Sequence, residues 1–189
     1  MNAIVAKIAQ RLLGEYELYR IYELQLPSVQ GAPGDAFGIR PLEGGAEASA
    51  SPDPELRSLS AYAGADAVGY GAFVGNELGA GCWLWYGEWY RQRNFWPLKE
   101  QEAKLVQVTT GERYRGKGLG LRLLNHAAWD MSRRGFRMLY ARIWHSNVSS
   151  IKLFEKAGWR EIAFVAVIFP FGLGRGIPLR FKRRRIASP

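Results

Sequence analysis

The sequence predicts an α/β domain, and three stretches carry that prediction. Val106, Val108 and Thr110 alternate in a β-branched run, so residues 103–110 read as a strand; a basic, glycine-rich turn follows. Leu124, Ala127, Ala128 and Met131 then recur at helical spacing up to Gly135. A second unit repeats the order: residues 138–144 as strand, Asn147, and an amphipathic run closed by Gly158-Trp159. Third, Val68–Val74 and Leu78–Tyr86 flank Gly75-Asn76-Glu77, which is a hairpin signal.

Taken in order, the chain opens with an apolar stripe, Ile4, Val5, Ile8, Leu12 and Leu13, opposite Lys7, Gln10 and Arg11. That pattern predicts an amphipathic helix, packed on its own domain or lying on a partner or membrane surface. Tyr19–Leu26 reads as a strand. Five prolines and five glycines make residues 27–54 mostly loop, interrupted by a short strand at Phe37–Leu42. Asp53-Pro54 looks like a helix start, with Leu56, Leu59 and Tyr62 on one face. Seven aromatic residues crowd between Trp83 and Trp96, interleaved with Glu88, Arg91 and Arg93. They read either as self-packing core or as a platform for an acceptor molecule. Residues 160–169 and 178–183 are the closing strands.

At 189 residues and 48% apolar content, one domain with a substantial core is expected. The net charge of +9 favours anionic partners, and Arg175, Arg180, Lys182, Arg183, Arg184 and Arg185 carry most of the excess. Such a tail is solvated or meets an anionic membrane surface, each cation adding about 1 kcal/mol there. Nucleic acid ranks last, because no recognised binding module accompanies the charge. A single cysteine, Cys82, excludes an intramolecular disulfide and makes the cytoplasm the default compartment. Cys82, His126 and His145 do not form a readable metal site, so no metal is expected. The apolar run 162–173 is too short to cross a bilayer, and no secretory signal is evident.

The chemistry concentrates in Arg113-Tyr114-Arg115-Gly116-Lys117-Gly118-Leu119-Gly120. A strand entering a helix through such a turn aims backbone N–H groups and the positive helix end at one spot, suited to a diphosphate. The ATP-binding glycine-lysine pattern fails, since no Ser or Thr follows Lys117. The dinucleotide pattern fails too, since the next strand ends in Trp144-His145-Ser146-Asn147 without an acid. What remains resembles the GNAT superfamily of acyl-CoA-dependent N-acetyltransferases. Its glycine signature is met twice, at Arg113–Gly116–Gly118 and Arg115–Gly118–Gly120. Its later element appears as Asn147 followed by a helix ending Glu-Lys-Ala-Gly158-Trp159.

The resemblance implies a mixed, mostly antiparallel sheet flanked by helices over residues 27–189, with residues 1–26 as an extra helix and strand packed on it. It implies an acyl-CoA, typically acetyl-CoA, as co-substrate and a primary amine as acceptor, on a small molecule, a sugar or a protein. Backbone groups beside Val106 and Val108 would hold the pantetheine. Arg113, Arg115, Gly116, Lys117, Gly118 and Gly120 would hold the diphosphate, with Asn147 on the other side. Glu102, six residues before Val108, would be the general base, with Glu88 and Glu100 as substitutes. The tyrosine that often serves as acid is Phe154 here, so Tyr86, Tyr90, His145 or solvent must protonate the leaving thiolate. The same substitution leaves open a non-catalytic acyl-CoA-binding or membrane-docked accessory protein.

Overall fold

The computed structural model of the chain describes residues 15–27, 38–169 and 176–182. Eight strands form one sheet: β1 (Glu15–Gln25), β2 (Ile39–Pro41), β3 (Ala67–Val74), β4 (Glu77–Trp85), β5 (Glu102–Thr110), β6 (Met138–Trp144), β7 (Arg160–Phe169) and β8 (Ile177–Lys182). Their order across the sheet is β2, β3, β4, β5, β6, β1, β7, β8, and only the β5–β6 pair is parallel. Among the described residues five α-helices accompany them: α1 (Ala46–Ser49), α2 (Pro54–Arg57), α3 (Gly87–Tyr90), α4 (Leu119–Arg133) and α5 (Val148–Lys156). The mixed, mostly antiparallel α/β architecture is the one expected.

Local signals account for most boundaries. Asp53 caps α2, its carboxylate accepting the N–H groups of Glu55 and Leu56, with Pro54 in the first turn. The expected helix tightens into a 3₁₀ turn over Ser58–Tyr62. The β3–β4 hairpin turns at Gly75. The Ala46–Ser49 helix was not foreseen. The N-terminal stripe at residues 4–13, residues 28–37 of the expected loop, residues 170–175 with Arg175, and the basic tail from residue 183 lie outside the described residues. Among the described residues no helix is long and apolar enough to cross a membrane.

β1 is an interior strand, hydrogen-bonded to β6 on one edge and β7 on the other. Its alternation shows why. Tyr22 and Leu24 enter the core beneath α4 and α5, while Tyr19 and Ile21 enter a second core on the opposite face, with Phe95, Leu98 and Tyr140. Ile21 and Tyr22 are both fully buried, each contributing about 1.5–3 kcal/mol of burial energy. Residues 15–25 therefore belong to the middle of the sheet, whatever precedes them.

The feature that positions the site is a parting of β5 from β6. They pair only from Glu102–Met138 to Leu105–Ala141. On the other edge, the β4–β5 register shifts between Trp83 and Leu84, leaving Val106 as an extra residue. Such a bulge bends its strand and ends regular pairing. Beyond it, Gln107–Thr110 stay with β4, while Arg142–Trp144 stay with β1. A wedge opens between the two strands.

Lys104 is fully buried on β5, on the same face as Phe95. Its ammonium donates to the carbonyls of Tyr90, at 2.8 Å, and Arg93, fastening the aromatic segment to the sheet. Burial pushes its pKa down to about 8, against about 10.4 for an exposed lysine. Between those values the unfolded chain keeps a proton that the folded one has released. Stability from this group should therefore rise with pH across that window. Urea midpoints of Lys104→Met, measured from pH 7 to 10.5, should lack the rise that the parent shows.

Candidate active site

Two cavities meet in the wedge. One, of about 660 Å³, is lined by Val108, Thr110, Arg115, Gly116, Gly118 and Gly120 from the glycine turn side, and by Ser149 and Lys156 from α5. The other, of about 380 Å³, is lined by Val106, Val108, Arg142, Trp144, Asn147 and Phe154, and by Tyr62, Asn94 and Phe95. Gln107, Val108 and Ser150 line both.

The first cavity faces the N-terminus of α4. Gly118 occupies the cap position at φ +77°, and no side chain caps the helix. The opening N–H groups thus lack side-chain partners and, with the helix dipole, favour an anion. Gly116 is likewise left-handed, at φ +75°. A Cβ at either position would meet no protein atom within 4 Å, so the glycines keep space open rather than fill it. Arg115 faces this cavity, donating to the Thr110 carbonyl at 3.2 Å and pairing with Glu55 of α2. Arg113 does not: it turns to Glu77 at 3.2 Å and lines a neighbouring hollow. Lys117 is exposed, 5.6 Å from the Tyr114 ring. Of the two overlapping signatures, the one beginning at Arg115 faces the wedge. These residues fit a diphosphate-bearing ligand. Because Glu55 competes for Arg115 and repels phosphate, Glu55→Gln should tighten acetyl-CoA binding by up to about fivefold, as read by titration calorimetry.

Asn147 serves first as a helix cap. Its Oδ1 accepts the Ser150 N–H at 3.1 Å and the Ser149 hydroxyl at 2.9 Å, leaving its amide NH₂ toward the wedge as a donor. Phe154 is buried, its ring against Tyr22 and Trp159, and lines the second cavity.

Glu102 stands at the closed end of β5, still paired with Met138. Its carboxylate accepts the Lys99 N–H at 2.8 Å and the Tyr140 hydroxyl at 3.3 Å. Burial, and next the Glu102 charge, push that tyrosine up to about 12, so it remains a neutral donor. Four residues separate Glu102 from Val106, about 13 Å of strand. Glu102 and Tyr86 share a different cavity of about 280 Å³, with Arg91, Glu100 and Phe136. No Asp or Glu is among the residues lining the 380 Å³ cavity. His145 follows β6 on the helix-bearing face, its Nδ1 3.3 Å from Arg20 and its ring edge-on to Phe164. It lines neither wedge cavity. Tyr90 stacks on Trp85, and Glu88 is exposed against Arg91. Cys82 is buried, which pushes its thiol up to about 12 and keeps it from acting as a nucleophile. Among the described residues no three His, Cys, Asp or Glu converge as metal ligands do.

The aromatic run divides between its two readings. Trp83 is core, and Trp96 packs on Tyr140, whereas Phe95 lines the wedge. Sequence reasoning missed Tyr140 and Arg142. Their signal was the alternation of Tyr140, Arg142 and Trp144 in β6, which places all three on one face.

A sheet split by a bulge beside an uncapped helix N-terminus is a geometry that fits an extended, phosphate-bearing ligand. Residues 16–159 match the Acetyltransferase (GNAT) family, and the chain belongs to it. It is 31% identical over 74 residues to the [ribosomal protein bS18]-alanine N-acetyltransferase of Escherichia coli K12, a match covering 39% of this chain. The chain spans about half the length of the curated relatives it matches. Among solved structures, a GNAT-family protein of Novosphingobium aromaticivorans aligns with a TM-score of 0.58 and 22% identity, over 82% of this chain and 64% of that one. A GCN5-related N-acetyltransferase of Sphaerobacter thermophilus aligns with a TM-score of 0.53 and 16% identity, over 93% and 58%. Both share the fold.

Proposed function

We propose that this protein is an N-acetyltransferase that moves an acetyl group from acetyl-CoA to a primary amine held in the 380 Å³ cavity. The observation that carries the reading is the wedge beyond Val106, which joins the uncapped end of α4 to that cavity. Acetyl-CoA, when bound, supplies an activated thioester.

The chain's residues divide the remaining work. Amides of Leu119–Leu121, with Arg115, bind the diphosphate. Backbone groups of Val106 and Val108, freed by the wedge, hold the pantetheine as an added strand would. The amine must lose a proton to attack. Glu102 is the base, and it takes that proton through water and the Tyr140 hydroxyl, which already donates to it. The leaving thiolate needs no dedicated acid. A thiol of pKa near 8.5 leaves as thiolate at neutral pH and is protonated by solvent. Phenylalanine at position 154 is then compatible with turnover. Protein amines belong among the acceptors to try, given the alanine acceptor in the name of the curated relative.

Purified protein incubated with acetyl-CoA and a panel of amines, with free CoA as the readout, tests the reading. Amine-dependent release is expected. Tight CoA binding without release on any amine would favour the accessory-protein reading.

A further inference from the structure

We propose that the acceptor of this transferase is an amine that also bears a carboxylate, and that Arg142 binds that carboxylate. The inference rests on the N-acetyltransferase reading and adds the substrate class.

Arg142 is the first β6 residue beyond the pairing with β5, opposite the bulged Val106, and it lines the acceptor cavity. Its guanidinium lies 5.3 Å from the Tyr19 ring, 5.7 Å from Phe95 and 5.3 Å from Trp144. Among the described residues no carboxylate pairs with it. Arg20, Arg115, Arg134 and Arg160 each hold a carboxylate, whereas Arg142, like Arg93 and Arg133, meets aromatic rings, and of these three only Arg142 lines the acceptor cavity. Three rings beside the exposed Arg142 guanidinium restrain it and leave N–H donors free for a planar anion. A carboxylate answers that need with two parallel hydrogen bonds.

The rest of the cavity points the same way. With no Asp or Glu among its lining residues, it offers no carboxylate to a second ammonium. A polyamine or other polycation would meet Arg142 as a like charge. Tyr62, Phe95 and Trp144 supply flat apolar walls for the carbon skeleton between amine and carboxylate. A carboxylate seated on Arg142 leaves the amine end of the same molecule free to turn into the wedge. Acceptors of this kind include an amino acid and a peptide whose carboxylate lies near its amine.

Two arms test this with the parent, Arg142→Gln and Arg142→Lys, the first with CoA present and the second with acetyl-CoA as donor. In the first, 3-phenylpropanoate, a carboxylate with a ring and no amine, is titrated by calorimetry. It should bind the parent, bind Arg142→Gln at least about tenfold more weakly, and recover part of the loss in Arg142→Lys. In the second, free CoA is followed with phenylalanine and with phenylalaninamide. The acid should exceed the amide in kcat/KM by about tenfold or more in the parent, with the ratio collapsing toward one in Arg142→Gln. The lower amine pKa of the amide works against this result, so the comparison is conservative. A CoA-dependent rise in Tm checks that each variant is folded. Equal binding of 3-phenylpropanoate by parent and Arg142→Gln, no binding to the parent, or preference for the amide would overturn the proposal. If the first arm holds and neither amine is acetylated, the carboxylate subsite stands and the acetyl-transfer reading is what fails.

Discussion

Glu102→Gln is expected to lower kcat by about 10²–10⁴ while leaving acetyl-CoA affinity nearly unchanged. Glutamine keeps the size of the side chain; its single carbonyl oxygen can still accept the Lys99 N–H, while its NH₂ donates to the Tyr140 hydroxyl oxygen, so the closed end of β5 should hold its shape. What it cannot do is take a proton. Affinity should survive because the proposed cofactor grip lies beyond the bulge at Val106 and is made by backbone groups. Tyr140→Phe isolates the relay. It leaves the carboxylate in place and removes the hydroxyl, so a loss intermediate between parent and Glu102→Gln is expected. Near-full turnover by Glu102→Gln would remove Glu102 from the mechanism and shift attention to bases outside the wedge, beginning with Glu100.

Gly118→Asp should abolish the rise in Tm that acetyl-CoA produces. Two causes act together. Gly118 sits at φ +77°, where an L side chain is strained. A carboxylate at this position would also cap the N-terminus of α4 itself and repel the diphosphate from the same N–H groups. The variant has room for its side chain, since no protein atom lies within 4 Å of the added Cβ. Gly118→Ala separates the causes, because it brings the strain without the charge. It should keep a reduced response, whereas the response of Gly118→Asp should vanish. At ligand concentrations of about 100 Kd the parent gains roughly 2.7 kcal/mol, enough to read in a thermal scan.

What could be read in the sequence and what could not follow from the range of the interactions involved. The unit from Glu102 to Trp159 was legible because its signals are local: alternation in β5, a basic glycine-rich turn, Asn147 ahead of an amphipathic run, Gly158 at a helix end; the capping role of Asn147 and the left-handed turn glycines came from the structure. Strand order is a long-range property. Nothing within Tyr19–Leu26 says that β6 and β7 will flank it, although apolar residues on both of its faces were a clue. The bulge at Val106 was equally hidden, since it exists only as a mismatch against Trp83 and Leu84 on another strand. For the same reason Glu102 could be placed on β5 but not beside Tyr140, and His145 could be placed near Asn147 but not on the opposite face from Arg142. The double glycine signature gave two equivalent frames. Glu77 separates them by drawing Arg113 away, and Glu77 is thirty-six residues distant.

Acetyl-CoA should bind in the wedge between β5 and β6, at the start of α4. Amide chemical shifts of ¹⁵N-labelled protein titrated with CoA test it most directly. The largest changes should fall on Val106, Val108 and residues 118–121, with little change around Tyr86 and Phe136. Changes concentrated around Tyr86, Glu100 and Phe136 instead, or none at residues 118–121 under saturating CoA, would contradict it.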